Sequence, residues 1–361
     1  MLEKHVWDKV KRVLLVRLRS IGDTVLMTPC LTALKEWQPD LEIDILVESL
    51  SAPILQSHPK VNQLFILPTA KDQITKLQAR WHMIRALRHR QYDLAFNLHG
   101  GSTAMFLTRL SGAKVMVGYK AGRYSKLLSL AAPSPQEIWQ KNEIHCVEQQ
   151  LGLLKWAGVP LSKAPELSLQ VVQSTQEKVS KNLTQAGINQ EFIVIHPSAA
   201  FISKQWETTR FIEVIEYLYN TYKLPSVVAV APYEMAVAKE IKEKAKVPVT
   251  IFSNLDLSEL MVLISKAKLF LGNDSGPAHI AAGFKKPIVV IFGSSNSQVW
   301  HPWSNIPYKL LKGNLPCIPC PGYTCSEFPE PECIKQIAVI EVTRALDDLL
   351  KDTKLETPLN L

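Results

Sequence analysis

Short apolar runs alternate with longer segments of helical spacing along most of the chain. The apolar runs are hydrophobic at nearly every position. A strand with one face exposed to solvent would instead alternate apolar and polar residues. Parallel sheets covered by helices on both faces produce such runs, so the sequence predicts a doubly wound α/β fold. In the first half, strands are predicted at residues 13–18, 42–48, 63–68 and 92–100, and helices at 24–37 and 74–90.

The alternation stops in the middle of the chain and then resumes. Residues 131–169 contain four prolines around one predicted helix at 143–157, which indicates a linker or hinge. We therefore expect two domains, 1–170 and 171–361, whose strand ends face a central cleft where ligands bind. In the second half, strands are predicted at 192–199, 226–232, 249–253, 269–274 and 287–293, and helices at 208–222, 233–245, 257–267 and from 277 onward.

Composition narrows the class of protein only slightly. The chain is 47% hydrophobic and 20% charged, which is typical of globular proteins, and it lacks an apolar run of the length that spans a bilayer. The N-terminus lacks the long apolar segment of a secretory signal, so we expect a cytoplasmic protein. A net charge of +8 predicts attraction to anions, which include nucleotides, nucleic acid and anionic membranes.

The turn after the first predicted strand carries the first candidate for chemistry, Asp23. It has the single glycine Gly22 where a dinucleotide fingerprint would have three, so bound NAD is not expected. Asp23 could cap the following helix or act as a catalytic carboxylate. Its place at the carboxyl edge of the predicted sheet favours a role in the cleft.

The segment Asn-Asp-Ser-Gly-Pro, at residues 273–277, leads from a predicted strand into a helix. The free N–H groups and dipole of a helix start bind anions such as phosphate. Asp274 would be repelled by that phosphate, so it should accept hydrogen bonds from hydroxyls of an attached sugar, unless it simply caps the helix. Lys204, in another predicted loop, could reach the phosphate or be a solvated loop lysine.

Glu234, His279 and a cluster of cysteines could each have either a functional or a structural role. Glu234 could bind ribose hydroxyls or compensate a helix dipole, and His279 could donate to phosphate or pack. His196 is expected to be a packed, hydrogen-bonded residue. Four clustered cysteines could form a structural zinc site or a loop without metal. They are Cys317, Cys320, Cys325 and Cys333.

Taken together, these segments resemble glycosyltransferase family 9, the ADP-heptose:lipopolysaccharide heptosyltransferases. The resemblance covers nearly the whole chain in the family's order. It rests on residues 13–35, 92–100, 194–211, 231–234 and 269–293, and on the cysteine-rich tail.

The resemblance implies a GT-B fold of two Rossmann-like domains. Residues 1–170 would bind the acceptor, and residues 171–361, with the cysteine-rich segment 317–333, would bind the nucleotide sugar. The implied activity is inverting transfer of heptose from ADP-heptose to the inner core of lipopolysaccharide. No cofactor would be required beyond the possible structural zinc, and nucleic acid would not be a partner.

The resemblance also implies roles for individual residues. Asp23 would be the general base, and Lys204 would bind the donor phosphate. The remaining donor-binding residues would be Glu234, Asp274, Ser275, Gly276 and His279, and the acceptor side would include Gly22, Thr24, Asn97 and His99.

The implied acceptor is anionic and embedded in a membrane, so the positive charge of the protein would attract it to that acceptor and membrane. The enzyme could be held peripherally at the inner face of the cytoplasmic membrane. A solvated basic helix is the alternative. The basic residues concerned are Lys71, Lys76, Arg80, Arg85, Arg88, His89, Arg90, Lys114, Lys120, Arg123 and Lys126.

Two other functions fit this sequence less closely. One is a transferase or epimerase that acts on another nucleotide sugar. The other is a non-catalytic two-domain protein that binds a nucleotide sugar, but an unpaired carboxylate at Asp23 would have no use there.

Overall fold

Two parallel six-stranded sheets organise the chain, one on each side of a division between Gln170 and Val171. The structure is a computed structural model. It describes residues 7–69, 72–122, 124–320 and 324–355, without the side chains of 352–355. Each sheet lies in its own compact unit, residues 1–170 and 171–361.

The N-terminal unit has the strand order β3-β2-β1-β4-β5-β6, and all its described strand pairs are parallel. Its strands are β1 (Arg12–Val16), β2 (Glu42–Glu48), β3 (Gln63–Leu67), β4 (Leu94–Asn97), β5 (Val115–Tyr119) and β6 (Leu130–Ala132). Its helices are α1 (Ile21–Leu26), α2 (Thr28–Trp37), α3 (Gln73–His89), α4 (Ser102–Leu110), α5 (Pro135–Trp139) and α6 (Cys146–Trp156).

The C-terminal unit repeats this topology with the order β12-β11-β10-β7-β8-β9, again with parallel neighbours. Its strands are β7 (Ile193–His196), β8 (Ser226–Ala229), β9 (Val249–Phe252), β10 (Leu269–Asn273), β11 (Ile288–Phe292) and β12 (Tyr308–Lys312). Its helices are α7 (Gln173–Gln185), α8 (Thr208–Tyr222), α9 (Met235–Lys244), α10 (Leu257–Lys266), α11 (Gly276–Gly283), α12 (Ser297–Trp300), α13 (Glu332–Lys335) and α14 (Val339–Leu355).

The central strands of both sheets are buried on both faces, as the continuous apolar runs predict. β11 is buried at all five positions and β4 at all four. The predicted doubly wound α/β class is therefore confirmed. In each unit the strand order reverses beside the first strand, between β1 and β4 and between β7 and β10. Ligand sites of open α/β sheets lie at such reversals, outside the carboxyl ends of the strands.

The predicted helix at residues 24–37 is wrong in one respect, because it is two helices. α1 ends at Leu26, and Met27 separates it from α2. Pro29 stands in the first turn of α2, where its missing N–H is harmless. Further into a continuous helix, the proline would remove a hydrogen bond and collide with the preceding turn, so a break precedes it.

Two of the basic residues predicted to face a membrane form ion pairs within the N-terminal unit. Arg90 is paired with Glu42 and Asp44, at 2.7 Å each, and Lys114 is paired with Asp93 at 2.8 Å. These two are engaged within the unit, but 74% of the Lys114 side chain is exposed, so their part in a membrane surface stays a prediction. Lys71 and Arg123 lie outside the described residues.

In the part of the chain that the structure describes, no helix is both long enough and apolar enough to cross a membrane.

Candidate active site

Asp23 lies in α1, directly after the turn that follows β1. Its Oδ2 accepts hydrogen bonds from the backbone N–H and the hydroxyl of Ser20, both at 3.1 Å. The capping role considered from the sequence is therefore present. One oxygen serves the helix start, and the other is directed to different partners.

The second oxygen of Asp23 is bound by residues from elsewhere in the unit. The Arg17 guanidinium forms an ion pair with Oδ1 and also donates to the Leu98 carbonyl at 2.7 Å. The Cys146 thiol lies 3.6 Å from Oδ1. Burial raises the pKa of Cys146, and the nearby Asp23 charge raises it further, so the thiol stays protonated and can donate to the carboxylate.

These contacts correct one premise from the sequence. Asp23 is not an unpaired carboxylate, because Arg17 neutralises it within a nearly buried pair. An unpaired Asp23 therefore cannot be used as an argument against a non-catalytic binding protein. The contacts instead fix the orientation of the carboxylate at the edge of the sheet.

Among the acceptor-side residues, His99 is the one whose pKa is affected by the charge of Asp23. Burial lowers the pKa of His99, the Arg17 guanidinium lowers it further, and Asp23 acts in the opposite direction. β1 and β4 are neighbouring parallel strands, so the segments after them share one edge of the sheet. This adjacency brings Asp23 and His99, far apart in sequence, to the same place.

The other acceptor-side candidates have structural roles in these turns. Asn97 Oδ1 accepts from the backbone N–H of His99 at 3.2 Å and of Gly100 at 2.9 Å, which shapes the turn after β4. The buried Thr24 hydroxyl donates to the Ser20 carbonyl at 2.7 Å. Gly22 is buried in α1. None of these contacts identifies an acceptor.

In the C-terminal unit, Lys204 and Asp274 are partners. Lys204 Nζ lies 2.8 Å from Asp274 Oδ2, and the Ser295 hydroxyl donates to the same oxygen. Lys204 ends a 3₁₀ turn after β7, and Asp274 follows β10, the neighbouring strand. The solvated-loop alternative for Lys204 is therefore wrong. The parallel pairing of β7 and β10 brings the two residues together across 70 positions of sequence.

Asp274 does not cap the helix that follows it. Ser275 occupies the N-cap position of α11, and the Asp274 side chain points to Lys204 and Ser295 instead. The capping alternative is therefore wrong. The hydroxyl of Ser275 is buried and has no hydrogen-bond partner among the described residues. The eight-residue helix α11 thus begins with a buried hydroxyl, Gly276 and Pro277 beside the Lys204–Asp274 pair.

A close backbone contact holds the Lys204 turn in place. A Cβ at Gly293, after β11, would overlap the Ser203 carbonyl oxygen. The Ser294 N–H donates to that carbonyl at 3.2 Å, and the hydroxyls of Ser203 and Ser294 lie 2.8 Å apart. Only glycine at residue 293 permits this approach, which places Lys204 next to Asp274.

Asn273 joins the same loops from inside the unit. It is fully buried, its Nδ2 donates to the Pro197 carbonyl at 2.9 Å, and its Oδ1 accepts from the Trp206 N–H at 3.2 Å. Asn273 therefore connects the end of β10 to both sides of the loop that follows β7. This contact explains the asparagine before Asp274 without a ligand.

Glu234 and His196 occupy a second edge position of this unit. Glu234 Oε2 accepts from the Ala231 N–H at 2.8 Å, so it caps the 3₁₀ turn Pro232–Glu234. His196 is buried, and its Nδ1 lies 3.0 Å from the Ser198 carbonyl, as expected for a packed histidine. Burial lowers the pKa of His196, whereas the charge of Glu234 opposes this. His279 is also buried, in α11.

The four clustered cysteines are free thiols that lie near one another. Burial raises the pKa of Cys333, and the neighbouring thiols of Cys320, Cys317 and Cys325 raise it further. Nevertheless, no group of three or more His, Cys, Asp or Glu side chains within the described ranges is arranged to hold a metal ion. The cysteines as placed therefore do not fit a zinc site, and the structure lends the zinc prediction no support.

The two edges have distinct chemical capacities. In the N-terminal unit, an oriented carboxylate can accept a proton from a hydroxyl. In the C-terminal unit, an ammonium group and a helix N-terminus can bind a phosphate and stabilise the charge that develops when it leaves. The sequence pointed to Asp23, Lys204 and Asp274, but it missed their partners.

Arg17, Cys146 and Ser295 are the missed partners. Arg17 had one available signal, since an arginine directly after an apolar strand seldom lies buried without a carboxylate. Cys146 and Ser295 are separated from their partners by 123 and 21 residues, so only the fold reveals these contacts.

Comparison with known proteins identifies the type of enzyme. Residues 80–329, more than half of the chain, match the family described as glycosyltransferase family 9 (heptosyltransferase). The chain is 29% identical over 355 residues to lipopolysaccharide heptosyltransferase 3 of Escherichia coli, covering 95% of this chain and 100% of that protein.

Solved structures agree on the fold. The glycosyl transferase family 9 protein of Veillonella parvula superposes with a TM-score of 0.81 at 18% identity, covering 95% of this chain and 97% of that one. The ADP-heptose LPS heptosyltransferase II of E. coli gives a TM-score of 0.78 at 18% identity, covering 95% and 99%. The predicted GT-B fold is confirmed by this likeness. With two matching α/β units and a family match over most of its length, the chain belongs to glycosyltransferase family 9, the heptosyltransferases.

Proposed function

We propose that this heptosyltransferase transfers heptose from ADP-heptose to a sugar of the lipopolysaccharide inner core, with inversion at the anomeric carbon. The observation that carries the proposal is the Lys204–Asp274 pair beside the start of α11. A nucleotide sugar has an anionic diphosphate and neutral hydroxyls. Lys204 and the helix start can bind the diphosphate, and Asp274 can accept hydrogen bonds from the hydroxyls.

The diphosphate would be bound by Lys204 and the start of α11. An ammonium group has three N–H donors, so the bond to Asp274 leaves two for phosphate oxygens. The backbone N–H of Gly276 and the buried Ser275 hydroxyl add further donors. By contrast, Pro277 has no N–H, and the Ala278 N–H donates to the Ser275 carbonyl at 3.1 Å. Gly276, which has no side chain, lets phosphate approach this turn closely.

The sugar hydroxyls would be bound by Asp274. Both of its described hydrogen bonds use Oδ2, so Oδ1 is available as an acceptor. Lys204 and Ser295 hold the carboxylate in one orientation, which reduces the entropy lost when the sugar binds. Glu234 and His279 would complete the donor pocket, with Glu234 accepting from the ribose hydroxyls.

Asp23 would act as the general base. It takes the proton of the acceptor hydroxyl, the acceptor oxygen bonds to the anomeric carbon, and the bond to the diphosphate breaks, releasing ADP. Arg17 and Cys146 hold Asp23 in position, and His99 lies beside it. Charge on the departing diphosphate is stabilised by Lys204 and α11. The reaction as proposed requires no divalent metal.

The names of similar proteins support the choice of substrates. Lipopolysaccharide heptosyltransferase 3 and the ADP-heptose LPS heptosyltransferase II are named for lipopolysaccharide, and the second also for its donor. Because such acceptors are built on membrane lipid, we place the enzyme at the inner face of the cytoplasmic membrane.

Mass spectrometry of the reaction products tests this proposal. Incubating the chain with ADP-heptose and a heptose-deficient inner-core acceptor should add one heptose mass to the acceptor and release ADP in equal amount. ADP-glucose and UDP-glucose serve as control donors. Transfer from a control donor but not from ADP-heptose would replace the proposed donor, and absence of transfer from every donor would contradict the proposal.

A further inference from the structure

Helix α3 presents a row of large apolar side chains away from its own unit. Ile74, Leu77 and Trp81 are 70%, 64% and 60% exposed. Their spacing of three and four residues places them on one side of the helix. Three large exposed hydrophobic residues in one row are unusual on a soluble surface and indicate a binding face.

The opposite side of α3 is anchored in the N-terminal unit. Met83 and Leu87 are buried in the same hydrophobic cluster as Leu14 of β1. The Asp72 side chain caps the helix by accepting from the Thr75 N–H at 2.8 Å. The helix is therefore held on the unit by its buried side. The outward row is not needed for that packing.

The outward row continues into positive charge. Arg85 and Arg88 follow Trp81 at intervals of four and three residues, and both are exposed. The 17-residue helix also contains Lys76 and Arg80, and it has no Asp or Glu. Arg85 and Arg88 thus share one side of the helix with the apolar row, and the helix itself contributes no acidic residue. Lys76 and Arg80 lie toward the anchored side and are only half-exposed.

The neighbouring helix α4 enlarges the apolar surface. Phe106 and Leu110 are exposed and lie four residues apart, so they share one side of α4. Arg88 Nε donates to the Leu110 carbonyl at 3.0 Å, which joins the ends of the two helices. The apolar residues therefore lie on two adjoining helices.

We propose that Ile74, Leu77, Trp81 and Arg85, called here the α3 face, dock this protein on an anionic lipid bilayer. Apolar side chains of an interfacial helix insert at the boundary between headgroups and acyl chains, where tryptophan is favoured. The cations beside them pair with anionic headgroups. The face lies flat on the membrane.

A second copy of the chain fits this face less well than a bilayer. A symmetric dimer would place two α3 helices against each other, with Arg85 and Arg88 of each on the contact side and no acid in either helix. Like charges across such an interface oppose association. An anionic bilayer supplies both the apolar layer and the opposite charge.

The inference deepens the proposed function, since a lipid-linked acceptor resides in such a bilayer. Docking would confine the enzyme to the surface that holds its acceptor and so raise the local concentration of both. Vesicle binding can nevertheless be measured without donor or acceptor. Vesicle binding therefore tests docking even if the protein transfers no heptose. The transfer assay tests the proposed function even if the protein does not bind vesicles.

Flotation of the full chain with lipid vesicles tests the proposal. We expect binding to vesicles of phosphatidylcholine with phosphatidylglycerol, little binding to phosphatidylcholine alone, and weakening at high salt. The triple substitution I74S/L77S/W81S should reduce binding at least about tenfold, and R85Q should reduce its salt dependence. The single variant W81S serves if the triple variant folds poorly.

The control is I340S, which replaces an exposed apolar residue of α14 in the other unit. It should bind vesicles as the unsubstituted chain does. Equal binding by the triple variant and the unsubstituted chain would overturn the proposal. A second result would also overturn it: the unsubstituted chain does not bind anionic vesicles but forms a dimer, and the triple substitution abolishes that dimer. The face would then bind a second copy of the chain.

Discussion

The Asp23 carboxylate is held by Arg17, Ser20 and Cys146 together. Ser20 lies three residues away and could be anticipated as part of a capping turn. Arg17 lies at the end of β1, and Cys146 belongs to α6, so the fold must form before they meet Asp23. The sequence could therefore indicate a chemically suitable residue, but not the contacts that orient it.

Replacing Arg17 by methionine should lower kcat about tenfold or more, because the carboxylate loses its orienting partner. The donor dissociation constant should stay unchanged, since Arg17 belongs to the N-terminal unit. The substitution should also reduce stability, because it removes one partner of a nearly buried ion pair. Steady-state kinetics and donor titration measure these effects.

Arg17→Lys provides the control, since lysine retains the charge without the forked geometry. Partial recovery of kcat would support a positioning role for Arg17. If both variants lost stability but kept full kcat, the ion pair would be only structural.

At the scale of elements, the predicted strands reflect long apolar runs, and the strands that were not predicted, β5, β6 and β12, lack them. β5 is buried at its three central positions, but Gly118 shortens its apolar run. β6 has three residues and β12 has only half-buried or exposed positions, so neither produced a strong hydrophobic signal. The division of α1 from α2 follows Pro29, whose effect depends on where the second helix begins. The meeting of Lys204 with Asp274 depends on β7 lying beside β10.

Gly293→Ala should weaken donor binding about tenfold, because the new methyl group collides with the Ser203 carbonyl and displaces the turn that carries Lys204. Forcing a methyl group into such a packed site also costs about 1–3 kcal/mol of stability. Isothermal titration with ADP and chemical unfolding measure the two effects. Unchanged ADP affinity would mean that this contact does not position Lys204 for the donor.

At the scale of the whole molecule, the same strand order occurs twice, and candidate residues follow the strands beside each reversal. This arrangement could be predicted in outline, because apolar strands separated by helices favour doubly wound sheets. The division of roles between the two units stays a prediction. It rests on a carboxylate in one unit and a lysine beside a helix start in the other.

Stability should fall as the pH falls from about 6.5 to 4. Burial lowers the pKa of His58 from 6.5 to about 4, and the charge of Lys60 contributes. The unfolded chain then binds the proton more readily than the folded one, so His58 stabilises the fold fully above its ordinary pKa and loses this contribution in acid. The loss amounts to at most about 3.4 kcal/mol, at about 1.36 kcal/mol for each unit by which the pKa is lowered.

Urea unfolding at several pH values checks this contribution. His58→Gln should flatten the dependence between pH 6.5 and 4, whereas His89→Gln, at an exposed position of α3, should leave it unchanged. An identical pH dependence in all three proteins would contradict the role of buried His58.

The central claim is that Asp23 removes the acceptor proton. The most direct measurement is transfer by Asp23→Asn, a variant of nearly the same shape, together with its ADP-heptose dissociation constant. We expect kcat to fall by about 10² to 10⁴, as for loss of a general base, with donor affinity unchanged. Asp72→Asn, at the cap of α3, should retain turnover on a soluble acceptor. Turnover within a few-fold of the unsubstituted enzyme in Asp23→Asn would show that Asp23 only caps its helix, contradicting the account.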